Sequence, residues 1–342
     1  MEKKIQNYGI SLLRVFLTFL VVLSHFWEWD NRIVTKPIYT LIQCAVPSFM
    51  LLSFYLMSKM FVSIDEKKIK LRMKRILLPF LFWSVISWLI YVFIESILKS
   101  NDDINFLNVF FKLFWQLFTG HAVGINPPLW YLASLFWLTI LYFCIFKIFK
   151  FNAIYVIVLL LLFSFILEYT SLNYLAFGKM RYEIKYPLGR FVEMIPYATI
   201  GIIIGKYNIF DFFLNRYKRI LLFYIGIVLW IIVFFLLIFD LEKIGVDFGY
   251  SGVLKILISI LNIFLFYILP ISKINNKKFK VDIFLKFTLG IYITHYLIGN
   301  ILINIMPNIN RVLMCFMIYI VCYFISLAIY YIPINNSKCL VD

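Results

Sequence analysis

The chain is dominated by long apolar stretches, and these constrain its fold more than any other feature. A helix needs about 20 mainly apolar residues to cross the hydrocarbon core of a bilayer. The 342-residue chain is 63% hydrophobic and has a mean hydropathy of +0.93, a balance outside the soluble globular classes. We place about ten spans, at residues 10–29, 38–62, 76–98, 128–149, 152–169, 188–207, 219–240, 251–271, 287–305 and 311–331. The sequence therefore predicts an all-α, polytopic membrane protein.

Positive charge is distributed unevenly between the two predicted sides of the membrane. The chain has 33 lysines and arginines against 17 acidic residues, a net charge of +16. With a cytoplasmic N-terminus, 21 basic and six acidic residues fall on the cytoplasmic side, whereas the outer side has 11 of each. A cytoplasmic excess of lysine and arginine is usual in membrane proteins. We therefore expect both termini in the cytoplasm, and the charge requires no nucleic acid partner.

The remaining sequence favours a single membrane domain over residues 1–342, with no fused soluble domain. Residues 106–118, in the longest outer loop, are aromatic but too short to span, and we expect them either to lie in the membrane interface or to fold back as a short helix. Residues 170–190 are expected to form a second, solvated outer loop with four basic residues. The five cysteines show no metal-ligand spacing near a histidine, so we interpret them as packing residues and expect no metal site.

Two ionisable residues interrupt the first predicted span. Arg14 and His25 are eleven positions apart, which places both on one stripe of a helix, about 16 Å apart along its axis. Ionisable side chains within a span are costly and usually face a partner or a polar pathway. Glu28 is either a carboxylate that orients the His25 imidazole or an interfacial charge. The stripe predicts one wall of an active site inside the membrane.

A pair of arginines precedes the third predicted span. Arg72 and Arg75 are three positions apart, and both face the same side of a helix. Guanidinium groups bind phosphates bidentately. At a cytoplasmic membrane face, either anionic lipid headgroups or the phosphates of coenzyme A would fit such a pair. A role in setting topology is the simpler interpretation from charge alone.

Other candidate residues lie in later spans. His295 is in the ninth span, at a depth similar to that of His25, and a neutral imidazole there suits a general base or a transient acyl acceptor. Each histidine alone could instead be a hydrogen-bonded packing residue. Trp130 begins the fourth span, where an aromatic belt is the alternative to a place in a binding site. Gly201 and Gly205 have the spacing of closely packed helices.

Several of these residues belong to motifs that occur together in one protein family. The chain resembles the membrane acyltransferase-3 family, whose motifs occur here in order across nearly the whole sequence. The matching residues are Arg14 and His25 in span one, Arg72 and Arg75 followed by Pro79, Leu129 to Leu132, and Gly290, Ile291, Tyr292 and His295. One position departs from the family pattern, because Phe54 replaces the glycine of Ser-Gly-Tyr in span two. We expect this replacement to affect the packing of span two against span one.

The resemblance implies an integral membrane O-acyltransferase, most often an O-acetyltransferase. Its donor would be acetyl-CoA or another acyl-CoA from the cytoplasm, with no bound cofactor. Its acceptor would be a hydroxyl of a cell-surface polysaccharide or of its lipid-linked precursor. The protein would lie among the lipids of the cytoplasmic membrane of a bacterium.

The resemblance also implies roles for individual residues. Arg72 and Arg75 would bind the donor phosphates, and Arg14 would bind the pantetheine end or a phosphate of the donor, or stabilise charge near the thioester. His25 would deprotonate the acceptor or carry the acyl group. The same cavity would be lined by Glu28, Trp130, Tyr292 and His295.

Two other classes of function remain open at this point. A transporter or flippase for a lipid-linked saccharide would also have about ten spans and a polar stripe, but it would not need an acyl-CoA site. A structural or assembly protein would leave the ionisable stripe without a purpose. Binding of acyl-CoA therefore discriminates the enzyme from the transporter.

Overall fold

A computed structural model describes residues 8–26, 39, 41–98, 111, 126–169, 185–244, 252–269 and 287–331. These ranges contain α-helices and short connections, and no strand occurs within them. The helices are α1 (Tyr8–Phe26), α2 (Ala45–Val62), α3 (Glu66–Leu98), α4 (Leu129–Phe149), α5 (Ala153–Tyr169), α6 (Lys185–Lys206), α7 (Ile209–Arg216), α8 (Arg219–Ile244), α9 (Val253–Ile268), α10 (Thr288–Ile305) and α11 (Arg311–Tyr331). The predicted all-α fold is confirmed.

Each of the ten predicted spans contains a helix. Seven helices are long and apolar enough to cross a membrane: Tyr8–Phe26, Leu41–Val62, Glu66–Ile90, Leu129–Phe149, Arg219–Ile238, Thr288–Ile305 and Arg311–Tyr331. Two shorter apolar helices, Ala153–Ile166 and Val253–Ile268, and the 22-residue α6 account for the other three predictions. The chain is therefore a multi-pass membrane protein, whereas ten crossings and cytoplasmic termini stay predictions.

The third helix begins earlier than the hydropathy pattern predicts. α3 starts at Glu66, ten residues before the predicted span, so the basic segment is part of the helix. Asp65 favours this start, because its Oδ1 accepts a hydrogen bond of 3.1 Å from the backbone N–H of Lys68. The Lys68 ammonium lies 2.7 Å from Asp65 Oδ2. Hydrogen bonds from the Lys68 side chain and backbone hold the pKa of the Asp65 carboxyl below its usual value.

Two predictions for the connections are affected by the observed helices. α6 begins at Lys185, so residues 185–190 are helical, and their assignment to the solvated loop 170–190 is wrong. A hydropathy pattern misses this start because the first turns of α6 contain charged residues and a proline. Residues 170–184, and residues 106–118 apart from Phe111, lie outside the described residues. The sequence analysis also missed α7, a short helix whose Phe212 and Phe213 are exposed.

The most extensive helix pair is α2 with α6, and two glycines permit its close contact. A methyl group at Gly201 would lie 3.0 Å from Tyr55 N and would clash with the carbonyl of Leu51. At Gly205 it would lie 2.6 Å from Tyr55 O. The two backbones therefore touch along this seam, as the small-residue spacing predicted.

The residue that departs from the family motif fills space between α2 and α4. Phe54 is fully buried, its ring stacks on Phe61 with centroids 5.9 Å apart, and it meets Tyr142 of α4 edge-on at 5.3 Å. Offset and edge-on ring pairs of this kind stabilise packing. This ring contact is with α4, and the expected effect on the packing of span two against span one stays a prediction.

The helices differ in how much of their surface other helices cover. In the apolar 18-residue stretch of Leu41–Val62, 72% of the residues are buried by other parts of the protein. In that of Arg219–Ile238 the share is 22%, although its mean hydropathy is 3.1. An apolar helix that is so little covered by protein has its surface against lipid in a membrane. Among the helices in contact with α1 are α2, α9, α10 and α11. Within the ionisable stripe of α1, Arg14 is half-buried and His25 is exposed.

Candidate active site

Two histidines lie side by side where α1 packs against α10. The His25 and His295 rings have centroids 5.1 Å apart, and Tyr296 meets His25 edge-on at 5.3 Å. Close approach of the helices depends on Gly299, because a Cβ there would clash with the ring of Phe26. His25 is exposed and His295 is fully buried. We call His25, His295 and Tyr296 the histidine end of the site.

The backbone of α10 determines which nitrogen of His295 carries a proton. His295 Nδ1 lies 2.5 Å from the carbonyl oxygen of Tyr292. A carbonyl only accepts hydrogen bonds, so Nδ1 is the protonated nitrogen, and the neutral ring has its lone pair on Nε2. Nε2 is buried and has no hydrogen-bond partner among the described residues. The ring thus offers a single basic nitrogen toward the interior.

Aromatic rings continue from the histidine end into the bundle. The Tyr292 ring lies 5.9 Å from His295 and 5.3 Å from Tyr131 of α4, centroid to centroid. Phe49 of α2 contacts both tyrosines, at 6.3 Å from Tyr131 and 6.2 Å from Tyr292. The Tyr292 hydroxyl donates a hydrogen bond of 3.2 Å to the carbonyl of Pro128. These contacts join α2, α4 and α10 around one buried group.

Arginines approach the same group from the other direction. The charges of Arg14 and Arg72 interact with each other and with the Tyr131 hydroxyl. Arg72 Nε is buried with no hydrogen-bond partner in the described part of the chain, whereas Arg75 is exposed. The Ser53 Oγ lies 3.3 Å from the Tyr131 hydroxyl. We call Arg14, Arg72 and Arg75 the arginine end of the site.

Two contacts fix the register of α3 against α4. The Lys147 ammonium lies 2.9 Å from Glu66 Oε1, and Asn126 Nδ2 donates a hydrogen bond of 3.2 Å to Ser87 Oγ. Glu66 and Ser87 are separated by the same number of residues as Asn126 and Lys147, so the two helices run antiparallel without a shift in register. Tyr131 then lies about ten residues beyond the level of Arg72, or roughly 15 Å along the axis. Arg72 and Tyr131 therefore lie at different levels of the bundle, and the interaction between them is electrostatic.

Together, these residues form a polar column, which we define as Arg14, Arg72, Ser53, Tyr131, Tyr292, His295 and His25. Five of its members were candidate residues in the sequence. The predicted pair Arg72 and Arg75 does not share one environment, because only Arg72 is partly buried. Trp130 is buried with its ring edge-on to Tyr131 at 6.3 Å, rather than facing lipid headgroups. Glu28 lies outside the described residues.

The sequence analysis missed Tyr131, Ser53 and Tyr296. Tyr131 lies in the Leu-Trp-Tyr-Leu segment that was interpreted through Trp130, and an aromatic belt accounted for both residues. Its phenol group within a span was the available signal, since a buried hydroxyl needs a partner. Ser53 is the serine of the Ser-Gly-Tyr motif in span two, where only the replaced glycine was considered. Tyr296 carried no signal, because tyrosines are common at membrane interfaces.

Comparison with models of protein families assigns the chain to one family. The model of the acyltransferase-3 family, described as an acyltransferase domain, matches residues 7–332. The chain belongs to the acyltransferase-3 family. It is therefore a membrane acyltransferase, and the polar column is its candidate active site. Neither the curated proteins nor the solved structures gave a match.

Proposed function

We propose that this acyltransferase-3 protein moves an acetyl group from acetyl-CoA to a hydroxyl of a carbohydrate. The acceptor is a cell-surface polysaccharide or its lipid-linked precursor, and the membrane is the cytoplasmic membrane of a bacterium. The polar column supports this proposal most, because it joins guanidinium groups to a pair of imidazoles within one bundle. Acyl transfer from coenzyme A needs both groups, one for phosphates and one for a proton.

The donor binds at the arginine end. Arg72 and Arg75 hold its phosphates at the cytoplasmic start of α3, where Arg75 is exposed and the charge of Arg72 interacts with the Tyr131 hydroxyl. Guanidinium groups suit this purpose because their planar donors match phosphate oxygens. Arg14 lies near the thioester, where its charge favours the negative charge that develops on the carbonyl oxygen. The acetyl group then points along the column toward the histidines.

The acceptor reacts at the histidine end. The exposed His25 accepts the proton of the acceptor hydroxyl while that oxygen attacks the carbonyl carbon of the thioester. A carbon–oxygen bond forms, the carbon–sulfur bond breaks, and the thiolate of coenzyme A leaves with the proton from His25. Recovery of an acetyl-His25 intermediate would instead assign the acyl-carrier role to this residue.

Donor binding is the first experiment, and it uses the full chain in lipid nanodiscs. Isothermal titration with acetyl-CoA is expected to show binding that Arg72→Gln with Arg75→Gln removes. Arg216→Gln, at an exposed arginine in the last turn of α7, is the matched control and should leave binding unchanged. NMR of surface glycans from cells with and without the gene tests the acceptor, and O-acetyl signals should disappear without it.

A transporter for a lipid-linked saccharide predicts different results in the same experiments. It would bind no acetyl-CoA, and replacing both arginines by glutamine would have no effect. Surface glycans would then lose saccharide rather than acetyl groups when the gene is removed. Either pattern would overturn the acyl transfer proposed here.

A further inference from the structure

Tyr131 occupies the middle of the polar column, between the arginine end and the histidine end. Its ring lies 5.3 Å from Tyr292, whose own ring reaches His295 at 5.9 Å. Its hydroxyl interacts with the charges of Arg14 and Arg72. The side chain is 5% exposed, so this hydroxyl is held inside the bundle. A donor that extends from the arginines to the histidines must pass it.

The hydroxyls of Tyr292 and Tyr131 have different hydrogen-bond partners. The Tyr292 hydroxyl donates its hydrogen to the carbonyl of Pro128, because a carbonyl oxygen can only accept a hydrogen bond. Tyr131 has only a long contact of 3.3 Å to Ser53 Oγ among its hydrogen bonds with described side chains. A serine hydroxyl can donate as well as accept, so Ser53 can orient the phenol oxygen without taking its hydrogen. The Tyr131 hydrogen therefore remains available to a ligand.

The electrostatic surroundings of this hydroxyl match one part of an acyl donor. Attack on a thioester moves negative charge onto the carbonyl oxygen, and donors arranged beforehand around that oxygen accelerate the reaction. Arg14 and Arg72 supply positive charge near the Tyr131 hydroxyl, and the Tyr131 ring contacts Tyr292, which in turn contacts His295. The phenol is the neutral hydrogen-bond donor between them.

We propose that Tyr131 is a catalytic residue whose hydroxyl donates a hydrogen bond to the carbonyl oxygen of the donor thioester. The inference rests on the proposed function. As the acceptor oxygen bonds to the carbonyl carbon, the π electrons move to the carbonyl oxygen, where the Tyr131 hydrogen bond stabilises them. The electrons return when the carbon–sulfur bond breaks, and the thiolate leaves with the proton held by His25. Tyr131 keeps its own proton throughout.

The first test replaces the hydroxyl and keeps the ring. Tyr131→Phe is expected to lower kcat about a hundredfold, as loss of one such donor does, with the Kd for acetyl-CoA changed less than about threefold because the phosphates are bound elsewhere. Tyr142→Phe is the matched control. It is a buried tyrosine eleven positions further along α4, on the same stripe, and its hydroxyl bonds Thr199 Oγ1 at 2.6 Å instead. Its kcat should match that of the wild type.

A second measurement does not depend on turnover. A ketone analogue of acetyl-CoA, with a methylene between sulfur and a ¹³C-labelled carbonyl, is bound to each protein and examined by infrared spectroscopy. A hydrogen bond to the carbonyl lowers its stretching frequency, so the shift should appear in the wild type and in Tyr142→Phe but not in Tyr131→Phe. Loss of ring packing alone would not produce this pattern, because both variants keep the ring.

The possible results separate the two proposals. If wild-type protein neither binds the analogue nor transfers acetyl from acetyl-CoA, the proposed function fails. If wild-type protein transfers acetyl while Tyr131→Phe keeps its kcat and its infrared shift, the role of Tyr131 is overturned and the function stands. Ser53→Ala should lower kcat by a smaller factor in the wild type and have no further effect in Tyr131→Phe.

Discussion

The arginine end and the histidine end of the polar column are built in different ways. Arg72 and Arg75 have long side chains with many rotamers, and Arg75 is exposed, so this end can adapt to a ligand. His25 and His295 lie on helices brought together at Gly299, and the backbone fixes the ring of His295. Adaptable charges suit the phosphates of a carrier, whereas proton transfer needs fixed geometry. The contrast agrees with the proposed division, in which the donor binds at the arginine end and proton transfer occurs at the histidine end.

The largest expected effect comes from removing the base at the histidine end. His25→Ala should lower acetyl transfer by at least about a hundredfold, since general bases contribute a factor of this size or more. Binding of acetyl-CoA should change little, because its phosphates interact with the other end. Transfer is measured as acetyl released to the acceptor or, in cells, as O-acetyl signals in surface glycans.

Protein abundance and detergent-extracted monodispersity serve as controls for this variant. His25 is exposed, so its loss should leave both unchanged. Full acetylation of the acceptor by a well-folded His25→Ala protein would remove His25 from the mechanism. If the variant also lost donor binding, the assignment of donor binding to the arginine end and of proton transfer to the histidine end would be wrong.

An intermediate effect is expected at the arginine end. Arg72→Gln should raise the KM for acetyl-CoA by about tenfold or more, because hydrogen bonds between charged groups contribute roughly 1.5–3 kcal/mol. Arg75→Gln should raise it less, about twofold to fivefold, since water screens an exposed charge. Steady-state kinetics with saturating acceptor give both values, and kcat should remain close to that of the wild type in each.

Ionic strength provides a check on the difference between the two arginines. Added salt screens exposed charges more than buried ones, so the contribution of Arg75 should disappear first as salt is raised. Equal changes in KM for the two variants at all salt concentrations would mean that Arg72 and Arg75 share one environment. The distinction drawn from their burial would then be wrong.

Much of the fold follows from the sequence because membrane helices carry a strong signal. A ~20-residue apolar stretch has few alternatives in lipid, and all ten predicted stretches contain helices. Arg14, His25 and His295 were identifiable because an ionisable residue within a span is costly. Gly201 and Gly205 were recognisable from their spacing, and the contact of α2 with α6 confirms that interpretation.

Other parts of the site depend on tertiary contacts that local patterns do not encode. Arg72 and Arg75 look equivalent in the sequence, and only the packing of α3 against α2 and α4 separates them. Tyr131 was hidden by the aromatic composition of its segment, because a phenol in a binding site and one at a membrane interface look alike. Gly299 also gave no signal, since its importance lies in the ring of Phe26 on another helix.

The smallest predicted effect concerns the tyrosine between the two ends. Tyr292→Phe removes the hydrogen bond to the carbonyl of Pro128 but keeps the ring that contacts Tyr131 and His295. That carbonyl still accepts a hydrogen bond of 3.2 Å from the backbone N–H of Tyr131, so no acceptor is left unpaired. The net loss is about 1 kcal/mol, and kcat should fall no more than roughly fivefold, with both KM values unchanged.

Tyr296→Phe is a suitable companion variant, because Tyr296 lies on the same helix and contacts His25 through its ring. Both variants should remain active, in contrast to Tyr131→Phe. A hundredfold loss of kcat in Tyr292→Phe would show that its hydroxyl leaves Pro128 and takes part in the reaction. The column would then have two hydroxyl donors at its centre, and the hydrogen bond to Pro128 would describe only the state without substrate.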